Sequence, residues 1–130
     1  MIVDASAVLA ILFDEDDASR HALAIADADA CRMSAVNYVE AGINVDRQAG
    51  PASGRDLDNF IRRANIAIEP VTVEQAHVAR QAYLDFGKGI HPAGLNIGDC
   101  FAYALAKTTG EPLLFKGDDF SRTDIPAARR

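Results

Sequence analysis

The apolar positions of this chain change period several times along its length, and each change marks a boundary between strand and helix. Met1-Ile2-Val3 is a short apolar run that ends at Asp4 and reads as a buried first strand. From Ala5 the apolar residues Val8, Leu9, Ile11 and Leu12 fall at helical spacing, with Ser6 placed to hydrogen-bond at the helix start. The acidic run Asp14-Glu15-Asp16-Asp17 breaks that helix and opens a second, from Ala18 to about Ala28, where acids suit the helix dipole. Cys31 to Ser34 predicts a second strand.

Ala35 to Gln48 is again helical, and Val36, Val39 and Ile43 are spaced to form its buried face. Gly50-Pro51 ends it, and Ser53 starts a helix carrying Leu57, Phe60 and Ile61. The β-branched stretch Ile66 to Val71 predicts a third strand, and Thr72 with Gln75 forms a capping-box pattern for a helix to about Phe86. Gly87 to Leu95, with three glycines and a proline, is a loop. Asn96 caps a helix from Ile97 to Thr108, and Pro112 to Phe115 is a fourth strand leading into the turn Gly117-Asp118-Asp119. Strands alternating with helices predict an α/β fold, a mainly parallel sheet with helices on both faces. With no internal repeat and no long linker, residues 1–130 read as one domain.

Composition narrows the function. Nineteen acidic against thirteen basic residues leave a net charge of -6, which argues against a plain nucleic-acid coat built on basic patches. It leaves a metal-dependent nuclease open, because bound cations reverse the potential inside a pocket. No apolar run approaches the roughly 20 residues of a membrane span. Asp4 stands where a signal peptide needs a basic segment, so a cytoplasmic protein with no membrane partner is expected. Cys31 and Cys100 form neither a disulfide scaffold nor a Cys-x-x-Cys site, and the histidines His21, His77 and His91 are scattered singly, so zinc is not favoured.

Most of the acids suit solvated helix faces, but a few do not. Asp4 ends an apolar strand, and Asp99 opens Asp99-Cys100-Phe101-Ala102-Tyr103-Ala104-Leu105-Ala106, the least polar helix, where Asn96 already offers a cap. Glu40 shares with Asn37 and Asn44 a polar stripe across an otherwise apolar helix. Asp118-Asp119 places two acids in a turn that needs one. Asp4 and Asp118 lie just beyond strands, at the carboxyl edge where ligands gather in such sheets. Carboxylates brought together raise one another's pKa, and divalent cations with oxygen ligands relieve that repulsion.

Several of these segments resemble the PIN-domain ribonucleases, and within them the VapC-type toxins of bacterial toxin–antitoxin pairs. The matching stretches are Ile2-Val3-Asp4-Ala5-Ser6-Ala7, Met33-Ser34-Ala35-Val36-Asn37-Tyr38-Val39-Glu40, His91 to Ala106, and Leu113-Leu114-Phe115-Lys116-Gly117-Asp118-Asp119-Phe120. The resemblance implies a three-layer sandwich with a central, mainly parallel sheet of four or five strands. It implies four catalytic acids at Asp4, Glu40, Asp99 and Asp118, with Asp119 able to share or replace the fourth. Ser6 and Asn37 are implied to hydrogen-bond that cluster. The implied activity is Mg²⁺-dependent endonucleolytic cleavage of RNA, with Mn²⁺ as a substitute. In this expectation, a two-metal-type hydrolysis, Asp4 and Asp99 hold the principal ion, Glu40 and Asp118 orient or deprotonate the attacking water or hold a second ion when substrate supplies its phosphate, and the products carry a 5′-phosphate and a 3′-hydroxyl. A cognate antitoxin is the implied inhibitor, with Leu9, Leu12 and Phe13 near the groove it covers, and a homodimer is the implied assembly. Lys116, Arg122, Arg47 and Lys88 are candidates for RNA-backbone contacts.

Three rival readings are weaker. A phosphoacceptor receiver domain wants adjacent acids after its first strand, and a haloacid-dehalogenase-type phosphatase wants a second Asp where Ser6 stands. A non-catalytic PIN-fold module that binds RNA or protein would not need all four acidic positions filled.

Overall fold

In the computed structural model, which describes residues 1–50 and 53–128, all the strand pairings are parallel. Pro51, half of the expected stop after the third helix, lies outside the described residues. The strands are β1 (Ile2–Val3), β2 (Cys31–Ser34), β3 (Ile66–Glu69) and β4 (Leu113–Leu114), in the order β3-β2-β1-β4. Six helices connect them: α1 (Ala5–Leu12), α2 (Ala18–Asp27), α3 (Ala35–Ala49), α4 (Gly54–Arg63), α5 (Val73–Phe86) and α6 (Ile97–Thr109). A fifth strand position is only a bridge, where Ala127 runs parallel to Leu113.

The three layers follow from strand alternation. Successive side chains of β1 point to opposite faces. Ile2 and its partner Leu113 join one core with Leu95, Leu105 and the buried alanines of α5 and α6. Val3 and Leu114 join the other, with Val8, Ile25, Met33, Leu57 and Ile61 from α1, α2, β2 and α4. Two short apolar residues thus hold β1 in the middle of the sheet, both fully buried.

The strands are shorter than their apolar runs. β3 stops at Glu69 because Pro70 has no N–H to donate to a ladder. Pro112 contributes only its carbonyl, which accepts from the Ile2 N–H at 2.9 Å.

Ser6 does hydrogen-bond at the start of α1: the cap is Asp4, whose side chain accepts from the Ser6 N–H, while the Ser6 hydroxyl accepts from the Lys116 N–H at 2.9 Å. One local expectation is corrected, since the predicted apolar face of α3 is turned outward. Val39 and Ile43 are 55% and 51% exposed and Val36 is only partly buried, whereas Asn37, Ala41 and Val45 are buried. The rotation has a polar cause: the Asn37 amide donates to the Gly98 carbonyl at 3.0 Å, which directs the Asn37–Glu40 stripe toward α6.

Candidate active site

Asp4 leaves the carboxyl end of β1 at the centre of the sheet. Its N–H still donates to Leu114 O at 2.9 Å, and its Oδ2 accepts from the Ser6 N–H at 3.0 Å. The residue is only 3% exposed, and its Oδ1 is buried without a hydrogen-bond partner. Burial pushes its carboxyl above the ordinary range, Ser6 offsets part of this, and the charge of Asp119 adds to the rise.

Glu40 projects from the second turn of α3, the helix that follows β2. Its carboxylate lies against Gly98 so closely that a Cβ at that position would overlap it. Asn37 donates from one amide to both Glu40 Oε1, at 3.4 Å, and Gly98 O. The Asn37 Oδ1 is a second buried atom with no partner. Burial raises the Glu40 pKa, and the charge of Asp4 raises it further.

Asp99 stands in the first turn of α6. Its Oδ2 accepts from the Asn96 N–H at 3.0 Å while its own N–H donates to Asn96 Oδ1 at 2.8 Å, a reciprocal capping box. Asp99 is thus the N3 partner of the Asn96 cap, and one of its oxygens helps secure the helix start. Burial pushes the Asp99 carboxyl up to about 7, and the charges of Asp4, Asp119 and Glu40 act in the same direction.

The fourth acid comes from the turn after β4. Asp118 and Asp119 are both exposed, but it is Asp119 whose charge raises Asp4 and Asp99. The Asp118 carbonyl accepts from the Ser121 N–H as the chain enters a 3₁₀ turn at Phe120–Arg122. The structure thus brings Asp4, Glu40, Asp99 and Asp119 into one electrostatic cluster at the carboxyl edge of the sheet. Asn37 and Ser6 each hydrogen-bond a member of it, Asn37 through its side chain and Ser6 through its N–H.

These residues suit a hard divalent cation. All the donors are oxygens, three of the acids are raised toward protonation without a counter-charge, and Asp4 Oδ1 lacks any hydrogen bond. Among the described residues no three His, Cys, Asp or Glu side chains form a ready-made cage. Mg²⁺ itself keeps several waters and takes one or two carboxylates directly.

Residue-pattern reasoning missed Gly98, whose only signal was a small residue beside Asp99, and the reciprocal role of Asn96. Lys116, a candidate for RNA contact, has its ammonium paired with Glu15 at 2.6 Å and Asp17 at 3.2 Å. Arg122 and the side chains of Arg47 and Lys88 are exposed, with Arg122 also donating to Pro92 O at 3.5 Å.

Comparison with known proteins bears on what this site does. The profile of the PIN domain matches residues 1–126. The chain is 55% identical over 129 residues to Ribonuclease VapC28 of Mycobacterium tuberculosis, covering 98% of this chain and 97% of the relative. It is 49% identical over 127 residues to Ribonuclease VapC of Mycolicibacterium smegmatis, covering 98% of each. In shape it is similar to M. tuberculosis VapC20, a sarcin-ricin loop cleaving toxin, with a TM-score of 0.81 at 14% identity over 99% of this chain and 98% of that one. A chain of a toxin–antitoxin complex from Klebsiella pneumoniae superposes with a TM-score of 0.67, also at 14% identity, over 95% and 92% of the two chains. At that identity the two solved structures speak for the fold alone.

Proposed function

Because this chain belongs to the PIN-domain family, and within it to the VapC ribonucleases, we propose that it is a divalent-metal-dependent endoribonuclease and the toxin of a toxin–antitoxin pair. The observation that carries the site assignment is the convergence of Asp4, Glu40, Asp99 and Asp119 from four separate segments, with the buried Asp4 Oδ1 left without a partner.

In this proposal Asp4 and Asp99 hold Mg²⁺, with Mn²⁺ as a substitute. The ion, when bound, supplies Lewis acidity at the phosphate and makes water a better nucleophile. Glu40 accepts the water proton at its carboxylate, a task favoured by its raised pKa. Asp119, exposed at the rim, orients water or substrate. Asn37 fixes the Glu40 carboxylate against α6, and Asp99 is held by its own capping box. The expected RNA products end in a 5′-phosphate and a 3′-hydroxyl.

The proposed partner is an antitoxin that lays basic and apolar side chains over this edge. Val39 and Ile43, exposed beside Glu40 on α3, offer it apolar contacts, and the acids offer charge. A homodimer is the proposed assembly, checked by light scattering.

The deciding experiment is RNA cleavage by antitoxin-free protein with and without Mg²⁺ or Mn²⁺, beside Asp99→Asn. Metal-dependent cutting lost in the variant, with 5′-phosphate ends, supports the proposal. Products with a 2′,3′-cyclic phosphate overturn the mechanism. A folded wild type that binds but cuts no RNA returns the non-catalytic PIN-fold module to the front.

A further inference from the structure

Lys116 stands two residues beyond the end of β4 and three residues before Asp119. Its two ends are both tied. The backbone N–H donates to Ser6 Oγ at 2.9 Å, and Ser6 in turn donates its own N–H to Asp4 Oδ2. The ammonium lies 2.6 Å from Glu15 Oε1 and 3.2 Å from Asp17 Oδ1, in the connection between α1 and α2. Asp17 is held from behind by His21, whose Nε2 lies 2.9 Å from Asp17 Oδ2 and whose ring is buried within α2. Arg20 adds a longer contact to the same oxygen at 3.4 Å.

We infer that Lys116, backed by Asp17 and His21, is a positioning device that sets the Asp119 turn against Asp4, and is not a contact for the RNA backbone. This rests on the nuclease proposal for its effect on cleavage. The ammonium is committed to two carboxylates, and Arg20 stands on the second of them, so the cluster offers a phosphate no unpaired positive charge. An isolated exposed ion pair contributes little. This one differs in that the acceptor is itself oriented by a buried ring, and the backbone of the same lysine is bonded to the residue that bonds Asp4. Displacing Lys116 therefore moves the turn that carries Asp119 and releases the Ser6 hydroxyl next to Asp4. The anchor comes from the acidic run at residues 14–17, which otherwise looks like a solvated turn.

The test compares wild type with Lys116→Met, Asp17→Asn and Lys116→Arg. It uses steady-state RNA cleavage at several salt concentrations and amide hydrogen exchange over residues 115–120, with thermal unfolding as the folding control. Positioning predicts that Lys116→Met and Asp17→Asn both lower kcat by about ten- to a hundredfold, as loss of a supporting partner does. KM and its salt dependence stay close to wild type, exchange over 115–120 speeds up in both, and Lys116→Arg recovers most of the loss. A phosphate contact predicts the opposite pattern. Lys116→Met would then raise KM and flatten the salt slope by about one, and Asp17→Asn would tighten RNA binding by freeing the lysine. That pattern, or unchanged exchange in both variants, overturns the inference. If wild type cuts no RNA, the nuclease proposal fails and the exchange comparison alone decides whether the clamp exists.

Discussion

Glu40 and Gly98 touch across the α3–α6 contact, the carboxylate occupying the space that any side chain at position 98 would fill. Helix propensity alone favours Ala over Gly within a helix by about 1 kcal/mol. Gly98→Ala is nevertheless expected to damage the site, because the methyl group displaces Glu40 and strains the Asn37 bond to the residue 98 carbonyl. The expected outcome is a folded protein whose kcat is down by about tenfold or more, comparable to the loss of an orienting partner. Cleavage kinetics beside a thermal melt will check it.

The raised pKa of Asp99 makes a prediction with a definite sign. Its folded value of about 7 lies above the ordinary 3.8, so the folded state binds the proton more tightly than the unfolded chain. That contribution to stability is complete below the ordinary value and is lost as pH rises through about 7. The metal-free protein in EDTA is expected to melt lower at pH 8 than at pH 5.5, and Asp99→Asn to show a smaller drop. Asn keeps an oxygen for the Asn96 N–H, so the cap survives the change. Added Mg²⁺ should raise the wild-type melt at pH 8 and leave the variant nearly unmoved.

The two neighbouring acids after β4 are separable. The charge of Asp119 reaches Asp4 and Asp99, so Asp119→Asn is expected to lower kcat by about a hundredfold, within the range for an acid–base or orienting group. Asp118→Asn should stay within about threefold of wild type, a surface substitution. Parallel cleavage assays of the two variants decide it, and equal losses would assign both to the site.

How far the sequence foretold this arrangement depends on which force fixed each part. The layers were legible because Ile2, Val3, Leu113 and Leu114 are apolar and alternate about the sheet, and burial alone dictates where they go. The acids Asp4, Glu40 and Asp99 were legible because each sits in apolar company that a surface charge avoids. The orientation of α3 was not, since Val39 and Ile43 satisfy a hydrophobic count that Asn37, through its bond to Gly98, overrides. Nor was the choice between Asp118 and Asp119, which depends on how one turn is set. The Lys116 clamp joins residues 15, 17 and 116, a pairing that no local pattern encodes.

Asn37 itself offers the sharpest check on that override. It is fully buried, its amide satisfies the Gly98 carbonyl and reaches Glu40, and its Oδ1 has no partner. Asn37→Ala removes a buried donor to the Gly98 carbonyl and Glu40 while that carbonyl keeps its helical partner, at an expected stability loss of about 0.5–1.5 kcal/mol. Urea denaturation will measure it. Asn37→Asp removes the same donor and adds a carboxyl to a cluster already short of positive charge. Burial and neighbouring acids raise such a group, so its ionisation is resisted in the folded state and stability falls as pH rises. Near pH 5 the Asp variant should therefore resemble the Ala variant, and at pH 8 in EDTA it should be clearly less stable. Equal stability of the two at both pH values would show that position 37 does not share the field of Glu40, and would remove the polar explanation for the rotation of α3.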